Sequence, residues 1–165
     1  MPKPTASDAV IVNRIAIIIS LVCISLAAAF VLWPRPQLSD GESHPEIEKF
    51  LDTYFSTWSA NDMRGYEDCF HPRAVITYVQ NREALALDLK EFIRLQAEGH
   101  KRAAAPMREI PLSKHIQTSR DIAQAQVRWR LTKADGVSVG TDYFTLVRGP
   151  KNWRIVSLTY CEDPE

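Results

Sequence analysis

Ile122-Ala123-Gln124-Ala125-Gln126-Val127-Arg128-Trp129-Arg130-Leu131 alternates apolar and polar side chains, and the stretch it opens, Ile122 to Tyr160, decides the fold. Ala123, Ala125, Val127, Trp129 and Leu131 share one side, and Gln124, Gln126, Arg128, Arg130 and Thr132 share the other. A period of two marks a half-buried strand of an antiparallel sheet. Asp135-Gly136 then tolerates the positive φ angles of a tight hairpin. A second strand, about Val137 to Arg148, ends at Gly149-Pro150-Lys151-Asn152, and a third runs from Trp153 to Tyr160. The three make a meander with one face for a core and one for water.

Upstream of the meander, Ile47, Phe50, Leu51, Tyr54, Phe55 and Trp58 recur at helical spacing between about Pro45 and Ala60. Asp62 can cap a shorter helix carrying Met63, Tyr66 and Phe70, which His71-Pro72 ends. Ala74 to Val79 predicts a β-branched strand. Asp88 can begin a third helix, with Leu89, Phe92, Ile93 and Gln96 on one side and Gly99 to Pro106 as its breaker. Met107 to Ser119 reads as a long, kinked strand in which Pro111 marks an edge or a bulge. The order is helix, helix, strand, helix, four strands. That is an α+β pattern: a curved antiparallel sheet wrapped around three helices as a cone, with a pocket between them.

Further upstream, Ile15 to Trp33 is uncharged and dominated by Ile, Leu, Val and Ala. Its length is close to the roughly 20 residues a helix needs to cross hydrocarbon. Residues 1–14 are then a tail, 15–33 a transmembrane anchor, 34–45 a tether bracketed by prolines, and 46–163 the folded domain. A cleaved signal peptide is the alternative, since Ala27-Ala28-Ala29 offers a cleavage site, but cutting there leaves Phe30-Val31-Leu32-Trp33 at a new terminus. The uncleaved anchor is preferred. Lys3 and Arg14 before the span, against Arg35 after it, place the N-terminus inside and the domain outside the cytoplasm, periplasmic in a bacterium.

Lys and Arg number 20 and so do Asp and Glu, so no global field argues for a nucleic-acid partner. Cys23 falls in the span, leaving Cys69 and Cys161 as separate thiols or as one disulfide, with separate thiols preferred. His44, His71, His100 and His115 have no metal-ligand spacing, and no phosphate loop or nucleophile motif occurs, so neither a metal nor another cofactor is expected. Arg94, Lys101, Arg102 and Arg108 read as a solvated basic face.

The segment Glu46 to Tyr160 resembles the nuclear transport factor 2-like superfamily, which includes ketosteroid isomerases and SnoaL-like polyketide cyclases. The resemblance is carried by Leu51-Asp52-Thr53-Tyr54-Phe55-Ser56-Thr57-Trp58 with Asn61-Asp62, by Cys69-Phe70-His71-Pro72-Arg73-Ala74-Val75-Ile76, and by Thr141-Asp142-Tyr143-Phe144-Thr145-Leu146 leading to Trp153-Arg154-Ile155. It implies that Tyr54 and Asp142 match the tyrosine and neutral aspartic acid that hold a substrate oxyanion in the isomerases. The carboxylate base of those enzymes has Thr77-Tyr78 in its place here, and a phenol is a poor base near neutral pH.

Asp142 falls in phase with Phe144 and Leu146, so it faces inward with them. Tyr54 and Asp142 are the candidate catalytic residues, and Tyr54, Trp58, Tyr78, Trp129, Asp142 and Phe144 the expected pocket lining. A buried carboxyl satisfied by neighbours, binding nothing, is the plainer alternative. With the base missing, the expected function is a membrane-tethered binding or assembly module. Its partners would be the lipid bilayer, through Ile15 to Trp33, and a second copy or another protein, through the outer sheet face. An enzyme or carrier for a small apolar molecule, of isomerase, cyclase or dehydratase type, is the alternative.

Overall fold

The computed structural model describes residues 44–163. The predicted anchor Ile15 to Trp33 lies outside them. Among the described residues no helix is long and apolar enough to cross a membrane.

Helix α1, Pro45–Ser59, begins with a proline whose missing N–H is not needed in the first turn. It buries Ile47, Leu51, Tyr54, Phe55 and Trp58. Asp62 caps α2, Met63–Glu67, by accepting the Gly65 N–H at 3.0 Å. Strands β1, Phe70–Gln80, and β2, Glu83–Asp88, precede α3, Leu89–Arg102, where Asp88 accepts the Glu91 N–H at 2.8 Å. Then come β3, Arg108–Ser119, β4, Ile122–Lys133, β5, Gly136–Arg148, and β6, Trp153–Glu162.

The six strands form one sheet in the order β2-β1-β6-β5-β4-β3. The meander is present as expected: β4, β5 and β6 are consecutive antiparallel neighbours. In β4 burial alternates residue by residue, with Ala123, Ala125, Val127, Trp129 and Leu131 all inside. Asp142 is 3% exposed and does face inward. Register shifts interrupt β1, β3 and β6, and such bulges bend strands, so the sheet curls over the helices.

Four expectations need correction. The sheet is not wholly antiparallel, because β6 inserts between β5 and β1 and runs parallel to β1. Strand β1 starts at Phe70, not beyond His71-Pro72; Phe70 pairs with Ile155, and the register shift before Val75 absorbs the proline. Strand β2 was not foreseen. Its turn, Asn81-Arg82, reaches positive φ without glycine (53° and 68°), and its Ala-Leu alternation is mostly exposed, so neither turn chemistry nor a β-branched pattern announces it. Finally, α3 runs through Gly99 to Arg102, since a glycine inside a helix weakens it without ending it.

Gly140 stands opposite Trp129 in the β4–β5 register and opposite Glu162 on the other side. A Cβ there would lie 2.3 Å from Trp129 Cζ2 and 2.3 Å from the Cys161 carbonyl oxygen. The bare backbone lets the indole lie across the strand. Gly140→Ala is expected to cost about 1–3 kcal/mol of overpacking, read as a lower urea midpoint at unchanged denaturant slope.

Candidate functional site

A cavity of about 210 Å³ opens between the helices and the inner sheet face. Helix α1 supplies Tyr54 and Trp58, α2 Tyr66, and α3 Phe92 and Gln96. The sheet supplies Tyr78, Glu109, Trp129, Leu131, Asp142, Leu158, Tyr160 and Glu162. The Trp58 indole donates to Gln96 Oε1 at 2.9 Å, so the two helices that roof the cavity are tied to each other.

Asp142 is the buried polar centre. The Trp129 Nε1–H donates to its Oδ1 at 2.7 Å, and Tyr54 borders the same cavity from α1. The Tyr66 hydroxyl donates to the Tyr54 hydroxyl at 2.9 Å, which ties α2 to α1. Burial pushes the Asp142 carboxyl up to about 7, against the opposing pull of the Trp129 hydrogen bond. Burial also holds both phenols, Tyr54 and Tyr66, well above the ordinary tyrosine range.

A second carboxyl faces this centre. Glu109 is held well above the usual carboxylate range by burial first, then by the charges of Asp142 and Glu162. The residue as a whole is half-buried. It lines the cavity beside Asp142 and Glu162. Its backbone is clamped: the Ser59 hydroxyl donates to the Glu109 carbonyl and accepts the Glu109 N–H, each at 2.9 Å.

A family model described as "Putative lumazine-binding" matches residues 42–161. The chain belongs to this lumazine-binding-like family. No curated protein matches the sequence. Solved structures that it resembles include a nuclear transport factor 2-like protein of unknown function from Pseudomonas putida (TM-score 0.62, 12% identity, covering 70% of this chain and 83% of that one). Another such protein comes from Silicibacter pomeroyi (TM-score 0.56, 21% identity, 72% and 93% covered). A structure from Bdellovibrio bacteriovorus matches at TM-score 0.61 and 9% identity, covering 72% of this chain. There the chain spans only 40% of the matched protein's length. At these identities the likeness establishes the nuclear transport factor 2-like fold.

Within this lumazine-binding-like domain the six residues expected to line the pocket fall in two places. Tyr54, Trp58, Tyr78, Trp129 and Asp142 border the cavity. Phe144 lies beneath it, edge-on to the Tyr54 ring at 5.1 Å. Thr77 and Tyr78 lie on β1, and Tyr78 stacks at 4.9 Å on Tyr160 at the rim. Cys69 and Cys161 are both free thiols, and burial pushes Cys69 up to about 11. His71 Nδ1 accepts the Arg73 N–H, and His100 packs against Trp58 at 4.5 Å. Arg94 is engaged by Glu91 and Glu98 on an exposed helix face.

Sequence reasoning missed Glu109, because the bulge between Pro111 and Ser113 changes the phase of β3. After the bulge Lys114 and Ile116 pair with the inward Val127 and Ala125; before it Glu109 and Pro111 pair with the inward Leu131 and Trp129. Counting back from Ile116 by twos puts Glu109 outside. The proline was the available signal, since a bulge at Pro111 moves every earlier residue to the other face.

Two outcomes test this geometry. An unfolded Asp142 ionises near pH 4, well below its folded value of about 7. Its contribution to stability is therefore full below about pH 4 and is lost as the pH rises to about 7. Asp142→Asn keeps an oxygen for Trp129, and its urea midpoint is expected to fall less than wild type's across that interval; an equal fall would refute the assignment. Tyr54→Phe removes the acceptor of the buried Tyr66 hydroxyl and is expected to cost about 1–2 kcal/mol in the same measurement.

Proposed function

We propose that the domain is a receptor for a small molecule, which enters the cone and is oriented by Asp142 and Glu109. The single observation that supports this most is the open, aromatic-lined cavity with two inward carboxyls at its floor. A scaffold filled by its own side chains has no use for such a space, and buried carboxyls are costly to keep. The description of the family points the same way, toward a flat heterocycle such as lumazine. Five indole or phenol rings, Tyr54, Trp58, Tyr78, Trp129 and Tyr160, are available to stack on or edge against one.

The receptor is held at a membrane by Ile15 to Trp33, with the domain on the extracytoplasmic side. The support is the length and apolarity of that segment. The outer sheet face, where Gln124, Gln126, Arg128 and Arg130 point away from the core and Tyr143 is 49% exposed, is the surface for a second copy or another protein. Protease protection of the domain in right-side-out vesicles would remove the orientation.

A second reading has one observation in its favour. Glu109 offers the cavity a carboxylate that Thr77-Tyr78 does not, so a proton-transfer enzyme of the isomerase or dehydratase kind is chemically served by Glu109 and Asp142. Turnover that disappears in Glu109→Gln while ligand affinity persists would favour it over a receptor.

The receptor reading is tested by thermal shift of the purified chain against flat heterocycles, lumazine among them. A ligand at 100 times its Kd adds about 2.7 kcal/mol, and the cavity-filling change Leu131→Trp is expected to abolish the shift. A shift of equal size in that variant would place the ligand elsewhere.

A further inference from the structure

The cavity wall is uneven in charge as well as in shape. Seven of its thirteen residues are aromatic and three are carboxylic acids, while none is Lys, Arg or His. The acids come from three strands: Glu109 from β3, Asp142 from β5 and Glu162 from β6. The other titratable groups facing them are phenols, Tyr54 from α1, Tyr66 from α2, Tyr78 from β1 and Tyr160 from β6. Helix α3 presents only Phe92 and Gln96 to the cavity, and its His100 packs against the Trp58 ring at 4.5 Å.

The partners of the three acids differ. Asp142 accepts the Trp129 Nε1–H. No described residue donates a hydrogen bond to the Glu109 carboxyl, and its electrostatic neighbours are the like charges of Asp142 and Glu162. Backbone freedom does not explain this, because Ser59 fixes both the N–H and the carbonyl of Glu109. The fold thus holds an unpaired acid against two others, in a site walled by π faces. A carboxyl set beside two others with no donor or counter-charge favours a cationic partner from outside.

The geometry points to an organic ammonium ion as the ligand, its charged nitrogen set between Glu109 and Asp142 and its body enclosed by the rings of Trp58, Trp129 and Tyr160. This inference rests on the cavity being the ligand site and names the chemistry that the site selects. Ring faces attract cations through their negative π surface, and carboxylates add direct charge pairing. A cation also relieves the repulsion between the acids, so binding drives protons off Glu109 and Asp142. Affinity therefore rises as the pH passes from 5 to 8.

Three probes that share a phenyl ring on a short side chain separate the outcomes: phenethylamine as cation, 2-phenylethanol as neutral and phenylacetate as anion. Their binding to the full-length chain is measured by titration calorimetry, with blanks of any detergent present. Phenethylamine is expected to bind at least tenfold more tightly than 2-phenylethanol, with phenylacetate weakest. That preference is expected to shrink by at least tenfold in Glu109→Gln. Glu162→Gln, at an exposed position, provides a second variant if the first fails to fold, and a smaller loss of preference is expected there. Equal or tighter binding of 2-phenylethanol would overturn the cation inference and leave the receptor standing. Binding of none of the three at millimolar concentration would overturn the inference and count against the receptor as well. Cation preference unchanged in both variants would also overturn it.

Discussion

The hydrogen bond from the Trp129 indole to Asp142 is the contact on which the interior depends. It spans two neighbouring strands at 2.7 Å, and it exists because Gly140 leaves room for the ring to lie over β5. A large aromatic side chain, a carboxyl and a bare backbone position are thereby locked together at the centre of the sheet. Nearby the Tyr66 hydroxyl donates to that of Tyr54, so α1 and α2 are joined by a second polar contact set within the apolar core. Such contacts specify one packing of the interior, since each member would be left unsatisfied in a shifted one.

The same contact keeps the cone from filling itself. Trp129 is turned toward Asp142, and the α1–α3 roof is stapled by Trp58 and Gln96 rather than collapsed onto the floor. A wider groove of about 570 Å³ lies elsewhere, lined by residues that include Glu46, Arg148 and Trp153. There Arg148 is held by Glu46 at 2.6 Å and lies over the Trp153 ring at 4.7 Å.

Much of this was legible because alternation is a local signal. The inward phase of Ala123 through Leu131 and of Asp142 could be read directly, as could the α1 stripe and the caps at Asp62 and Asp88. What escaped depended on pairing between distant parts. Glu109 turned inward because of a bulge whose effect is set by the partner strand, and Tyr66 and Tyr160 joined the cavity through packing that no periodicity encodes. Strand β2 formed on a turn of non-glycine residues at positive φ, and β6 chose a parallel neighbour, a choice the meander alone does not dictate.

That last pairing has a consequence for how the chain is made. Because β6 lies between β1 and β5, the first strand of the domain and the three-strand block β3–β5 that follows α3 have no shared edge until residues 153–162 arrive. During synthesis the emerging chain carries two unfinished sheet edges, and long-range strand pairing is slow compared with local contacts. Closure waits for the final strand. The β1 edge is therefore open to edge-to-edge misassembly from the time β1 is made until β6 is, and a chaperone has its strongest reason to hold the chain then.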